Sequence, residues 1–283
     1  MEQALLIVWR ESVEAMLVIG ILHAWLRRHP SPRRSLRLLW TGVLGGGLLA
    51  ALLATLMVLA GEWMSGPSGE WFQAAMGLVA SALVLQMLAW MTHGRQLLRH
   101  RLEDQASLAL AHGRESGLVV LAALAVAREG SEVAIFLYGA GGASSAGQIL
   151  LGALLGLALG GLSFTLLQVG GRALDWRRFF AVSQWLLVLL GGAMLMGALD
   201  RASGQLMAMD LPEVLYAWLG DPLWDSSAWL DDGSRLGALI ASLTGYRAMP
   251  SAAAVLLLSA FWLLAWRLLR APRVSRELTA SPS

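Results

Sequence analysis

The 283 residues are 57% hydrophobic and 14% charged, where a soluble domain carries about 25% charge. The formal net charge of +2 gives no basic surface for nucleic acid, and every basic residue is arginine. With no cysteine the chain has no disulfide, thiolate metal site or iron–sulfur cluster.

Apolar runs of roughly 20 residues, the length that crosses a bilayer, alternate with arginine-rich clusters. They predict an all-α membrane protein with seven transmembrane helices. The first span covers 4–26. Arg10, Glu11 and Glu14 interrupt it and no positive segment precedes it, so it does not read as a signal peptide. A loop with Arg27, Arg28, Arg33, Arg34 and Arg37 follows. The second span, 38–60, carries Gly42 and Gly46. Glu62 and Glu70 lie between it and the third span, 71–91. The next loop holds Arg95, Arg99, Arg101 and Arg114. The fourth span, 117–138, contains Arg128, Glu129 and Glu132, and the fifth, 148–168, contains Gly152, Gly156 and Gly160. Arg172, Arg177 and Arg178 precede the sixth span, 180–200. The last helix, 250–268, follows an acidic outer loop, 201–249, and leads to a tail with Arg270, Arg273 and Arg276.

Every arginine cluster falls on one side of this arrangement. The positive-inside rule therefore places the N-terminus outside and the C-terminus in the cytoplasm. Tryptophans near the predicted ends, among them Trp25, Trp40, Trp63, Trp71, Trp90, Trp176 and Trp266, suit the interfacial belts. The chain also repeats. Arg-Glu-x-x-Glu occurs in spans one and four, and spans two and five share small-residue spacing that lets helices approach closely. Three spans form each unit, so the second enters from the opposite side. The expectation is a single permease domain of two inverted repeats, about 4–91 and 117–200, plus the seventh helix.

Charges inside a membrane helix cost roughly 2.5–3.5 kcal/mol each on insertion scales. Residues three apart share a helix face, so Glu11 with Glu14 and Glu129 with Glu132 form two carboxylate pairs, and Arg10 and Arg128 can each lie against the second glutamate. At about 1.5 Å per residue both pairs sit roughly 10–15 Å below the outer surface. If the two faces converge, four glutamates and two arginines leave a net negative site for a di- or trivalent cation. Carboxylates suit ferric or ferrous iron, manganese or magnesium. Met87 and Met194 are expected as core filler. The histidines, His23, His29, His93, His100 and His112, fall near inner ends, which argues against a haem protein; His23 is the candidate exit-path ligand. The acids Asp225, Asp231 and Asp232 of the outer loop, with Glu70, are candidate entry residues that raise local cation concentration. A short amphipathic helix is expected near Ser234–Leu243.

The duplicated motif resembles that of the oxidase-dependent iron transporter (iron permease) family of fungi and bacteria. Trp90-Met91, Arg177-Arg178-Phe179-Phe180, Trp224-Asp225, Gly245-Tyr246 and Pro250-Ser251 are similar to further stretches of that family. The resemblance implies seven helices with the N-terminus outside, a place in the bacterial inner membrane, and inward iron transport at Glu11, Glu14, Glu129 and Glu132. Iron, ferrous or ferric, is then the transported substrate, with no permanently bound cofactor. The partners implied are an exofacial iron oxidase or a periplasmic iron-binding protein, besides membrane lipid; a homo-oligomer is a candidate assembly. The chain departs from the family at Ser12, where glycine is common, at Val133, where threonine is common, and at Gln73-Ala74, where an acid beside glycine is common.

Alternatives are a permease for lead, manganese or another divalent cation, and a non-transporting membrane scaffold. An intramembrane glutamate protease needs adjacent glutamates and a histidine at the same depth, and neither is present. With no phosphate-cradling glycine loop, ATP hydrolysis within the chain is not expected, and the protein reads as a transporter and not an enzyme.

Overall fold

The computed structural model describes the backbone of residues 1–28, 32–64, 66–111, 115–141, 145–169, 176–209 and 212–270. Side chains are described over the same ranges except at 32, 90–111, 115, 167, 169 and 176–180. His29, His93, His100, His112, Trp90, Trp176, Asp210 and the arginines at 95, 99, 101, 114, 172, 177, 178, 273 and 276 lie outside the described side chains.

The described chain is helical: α1 Glu2–Leu26, α2 Pro32–Trp63, α3 Pro67–Ala111, α4 Glu115–Gly139, α5 Ala146–Val169, α6 Trp176–Met207, α7 Glu213–Gly220, α8 Arg235–Thr244 and α9 Ala252–Arg270. Five of these, α2, α3, α5, α6 and α9, contain stretches long and apolar enough to cross a membrane. The expectation from sequence is seven. At 25 residues each, α1 and α4 are long enough but carry the Arg-Glu-x-x-Glu charges in any stretch of spanning length.

Several boundaries differ from those read in the sequence. The third span is expected to end at 91, yet α3 continues as helix to Ala111. Hydropathy reports apolarity and not helix length, and the helix formers Leu97, Glu103 and Ala106 let the backbone continue. α6 likewise runs past the expected end at 200, to Met207. The amphipathic helix expected near Ser234–Leu243 is α8; Ser234 Oγ accepts the Gly237 N–H at 3.0 Å, and Gly245, at φ 78°, closes its end. The expected outer loop also contains α7. At α5 the start is set by a reciprocal cap: Gln148 N–H donates to Ser145 Oγ at 3.4 Å and Ser145 N–H to Gln148 Oε1 at 3.3 Å.

Packing runs in three pairs, α1 with α5, α2 with α4 and α3 with α6. The centre is built from α1, α3, α4 and α6, where Ile7, Val84, Met87, Phe136, Leu190 and Met194 are buried together. A second cluster, Leu22, Leu26, Leu39, Leu118 and Ala122, joins α1, α2 and α4. A third, Leu88, Val188, Phe261 and Ala265, seats α9 on α3 and α6. By contrast α2 and α5 turn outward leucines such as Leu44, Leu48, Leu154 and Leu162, more than 50% exposed except where they meet a neighbour; in a bilayer these meet acyl chains. Arg270 stacks over Trp266 at 4.3 Å at the end of α9, an interfacial anchor.

Lipid gives helices no hydrophobic drive to associate, so contact depends on close approach. A Cβ added at Gly42 of α2 would meet Val119 O, Ala122 Cβ and Ala123 N of α4; one added at Gly152 of α5 would meet Met1 O, Ala4 Cβ and Leu5 N of α1. Gly46 lies against Ala123 O and Val126 Cβ as Gly156 lies against Leu5 O and Val8 Cβ. One turn on, Ala50 faces Gly130, and Gly160 faces Ser12. The α2–α4 and α5–α1 seams therefore use corresponding atoms.

Candidate metal site

These seams fix α1 and α4 in the middle of the bundle. Arg10 and Glu11 are buried, with side chains 4% and 1% exposed, and Glu14 is 13% exposed. Arg10 Nη1 donates to Glu11 Oε1, and Arg10 Nη2 donates to Glu14 Oε1 at 2.8 Å. The spacing of three and four residues puts all three groups on one face. Beside this face Trp9 Nε1 donates to Ser163 Oγ of α5 at 2.9 Å.

Glu129 of α4 enters the same space. Glu11, Glu14 and Glu129 each offer a carboxylate oxygen, and the three oxygens lie within 4.8 Å of one another. Glu132 does not belong to that group of three. It accepts from Arg128 Nε at 3.1 Å, and Arg128 is half exposed whereas Arg10 is buried. The two copies of the motif thus differ in surroundings. Among the described residues, Glu11 Oε2, Glu129 Oε2 and Glu132 Oε2 are buried and have no hydrogen-bond partner. A buried polar atom left unmade costs about 1–3 kcal/mol, and more when charged. Converging oxygens of this kind suit a hard or borderline cation.

The remaining sequence candidates lie elsewhere. Glu70, half exposed at the start of α3, stands 3.7 Å from Arg201 Nε of α6. Asp225 Oδ1 accepts the Ser227 N–H at 2.8 Å, Asp231 Oδ1 accepts the Gly233 N–H at 2.9 Å, and Asp232 Oδ2 accepts the Ala248 N–H at 3.3 Å. The hydrogen bonds from Ser227 hold the Asp225 carboxyl below its usual range. His23 meets the Trp40 ring edge-on at 6.4 Å and is not part of the acidic group.

Sequence reading missed Arg201. It donates to Gln73 Oε1 at 3.2 Å, to Gly197 O at 3.1 Å and to Gly141 O, while Gln73 Nε2 donates to Gly141 O at 2.9 Å. This network ties the ends of α3, α4 and α6. Its signal in the sequence is an arginine in the acidic outer segment, where basic residues are otherwise scarce. Arg247 is a second such case, bound to Asp200 through Nε at 2.8 Å.

The sequence pattern of the iron permease FTR1 family matches residues 1–270. The chain belongs to that family. It is similar to the ferrous iron permease EfeU of Escherichia coli (strain UTI89) and of Shigella sonnei, each 28% identical over 259 residues, covering 88% of both chains. It is likewise similar to the ferrous iron permease EfeU of Yersinia pestis, at 27% identity over 88% of this chain and 86% of that one. No solved structure matches it. Family membership and the apolar helices make the permease a multi-pass protein of the bacterial inner membrane.

Proposed function

We propose that the chain carries iron, as the ferrous ion, into the cytoplasm through a site built from Glu11, Glu14 and Glu129, with Glu132 next along the path. The observation that carries this reading is the group of three converging carboxylates from two helices, with buried oxygens that lack hydrogen bonds. Membership of an iron permease family and likeness to proteins named ferrous iron permeases support the cargo.

In this reading α1 and α4 also cross the membrane, which makes seven spans and puts the N-terminus outside. The single permease domain then consists of repeat one, about 4–91, repeat two, about 117–200, the outer loop 201–249 and the last helix 250–268. The matching glycine contacts of the α2–α4 and α5–α1 seams support an inverted repeat. Glu70, Asp225, Asp231 and Asp232 form the entry side, where a periplasmic iron-binding protein delivers the ion. A membrane potential of about 100 mV supplies roughly 2.3 kcal/mol per charge, and twice that for a divalent ion, so inward movement needs no nucleotide.

The test is uptake into liposomes by the purified chain, offering ferrous, ferric, manganese and lead ions in turn. Ferrous uptake that collapses in Glu11→Gln and Glu129→Gln, with both variants inserted normally, is the expected result. Uptake at the wild-type rate in either variant would sink the assignment of the site, and preference for manganese or lead would change the cargo.

A further inference from the structure

We infer that Ile7 with Phe136 on one side, and Leu22 with Leu118 on the other, are two apolar gates that close the carboxylate site at both ends, and that each pair must part in turn for an ion to pass. This rests on the reading of the Glu11–Glu14–Glu129 group as the cation site.

Helix spacing places these residues on the faces that carry the acids. Ile7 lies four residues before Glu11, and Phe136 lies four after Glu132. Leu22 is eleven residues after Glu11, and Leu118 is eleven before Glu129. Eleven residues make about three turns, so both return to the carboxylate face roughly 16 Å away. The helices α1 and α4 run in opposite directions, since Ile7 near the start of α1 is buried with Phe136 near the end of α4, and Leu22 with Leu118 at the other end. Ile7 and Phe136 therefore stand on one side of the site, and Leu22 and Leu118 on the other.

Both ends are tightly closed. Ile7 is 1% exposed, and Phe136, Leu22 and Leu118 are 0% exposed. Ala80 and Val84 of α3 complete the first cluster, and Leu39 of α2 completes the second. The exposure that remains near the site is on its flank. Arg128 lies in one row of α4 with Leu124 and Val120, which are more than half exposed, and in a bilayer that row faces neither aqueous phase. A cation crossing an apolar constriction must shed hydration with nothing to replace it, so such a constriction blocks the path until its side chains move apart. The two repeats also place their plugs in mirrored fashion. Phe136 stands four residues after the second glutamate of its motif, and Val18, packed on the Leu22 cluster, stands four after Glu14. Corresponding positions thus serve opposite ends of the site, the relation that alternate opening needs.

The chain has no cysteine, so one introduced thiol reports alone. Glu132→Cys puts a thiol one turn inside Phe136. Its reaction with a membrane-impermeant cationic methanethiosulfonate is timed in right-side-out and inside-out membrane vesicles. With both gates intact the thiol should react slowly from either face. Adding Phe136→Ala should speed reaction from the face that bears the N-terminus by about tenfold or more, because truncating a buried phenyl leaves a cavity. The rate from the other face should stay as it was. Leu22→Ala with Leu118→Ala should do the reverse. Phe261→Ala truncates another buried ring, one that seats α9 on α3 and α6, and should change neither rate. If Phe136→Ala cannot be recovered from the membrane, Ile7→Ala replaces it with the same direction expected. Fast reaction with both gates intact, acceleration from both faces alike, or the same acceleration in Phe261→Ala overturns the inference. Manganese(II) binding to the wild-type chain, followed by electron paramagnetic resonance, tests the site separately. Failure to bind would instead overturn the site assignment on which the inference rests.

Discussion

Glu11 of α1 and Glu129 of α4 bring carboxylate oxygens within 4.8 Å of each other, and Glu11 Oε2 and Glu129 Oε2 are buried with no hydrogen-bond partner among the described residues. Two acids so placed repel unless something positive lies between them. The pair is thus poised for a cation, and their effects on binding should be coupled. In a double-mutant cycle, Glu11→Gln and Glu129→Gln should each weaken manganese(II) binding by at least about tenfold, and the double variant by far less than the product. Additive losses would mean that the two carboxylates serve separate ions.

The helix seams give a test of stability that leaves the site untouched. A Cβ at Gly46 would collide with Ala123 O and Val126 Cβ, while one at Gly45 or Gly47 meets nothing within 4 Å. Gly46→Ala should therefore lower the thermal unfolding midpoint in detergent. Gly45→Ala and Gly47→Ala should leave it unchanged or raise it slightly, since alanine is favoured over glycine in a helix by up to about 1 kcal/mol. Equal behaviour of the three variants would contradict the α2–α4 packing.

Arg201 joins Gln73, Gly141 and Gly197 and is largely buried, whereas its partner Glu70 is half exposed at 3.7 Å. Replacing Arg201 with methionine should destabilise the chain by about 1–3 kcal/mol, because Gly141 O and Gln73 Oε1 lose a charged donor. Glu70→Gln removes a loose, solvated ion pair and should cost under about 1 kcal/mol. Chemical unfolding followed by tryptophan fluorescence would separate the two.

Asp225, Asp231 and Asp232 each accept a backbone N–H in the outer segment. Asparagine keeps an acceptor oxygen and removes the charge. The triple variant to asparagine should raise the half-saturating iron concentration at low ionic strength and leave the maximal rate nearly unchanged. Added salt should shrink the difference. Loss of maximal rate at every salt concentration would assign these acids a structural role. Because the Asp225 carboxyl is held below its ordinary range, its bond to Ser227 contributes above the unfolded value and is lost only as pH falls through the lower folded one. The protection of the Ser227 amide from hydrogen exchange, taken relative to the intrinsic rate at each pH, should accordingly be present at neutral pH and lost in strong acid.

The sequence by itself determined the helical membrane class, because length and apolarity of each run depend on local composition alone. It also marked the candidate residues for the chemistry, since charge inside an apolar helix is visible without any neighbour. The duplicated pattern was legible for the same reason: Arg10-Glu11-x-x-Glu14 and Arg128-Glu129-x-x-Glu132 share it, and glycines follow at corresponding places. The ends of α3 and α6 were not legible, because hydropathy reports apolarity whereas a helix ends where its backbone hydrogen-bond ladder does. Only the tertiary structure decided that Glu129 joins Glu11 and Glu14 while Glu132 stays with Arg128. Two copies of one motif have equal local propensities. What distinguishes them is that α1 lies among α2, α3, α4, α5 and α6 whereas α4 meets α1, α2 and α3, so Arg10 is enclosed and Arg128 is not. Arg201 shows the same limit, since an arginine becomes a hub only when helices distant in the chain bring their carbonyls to it.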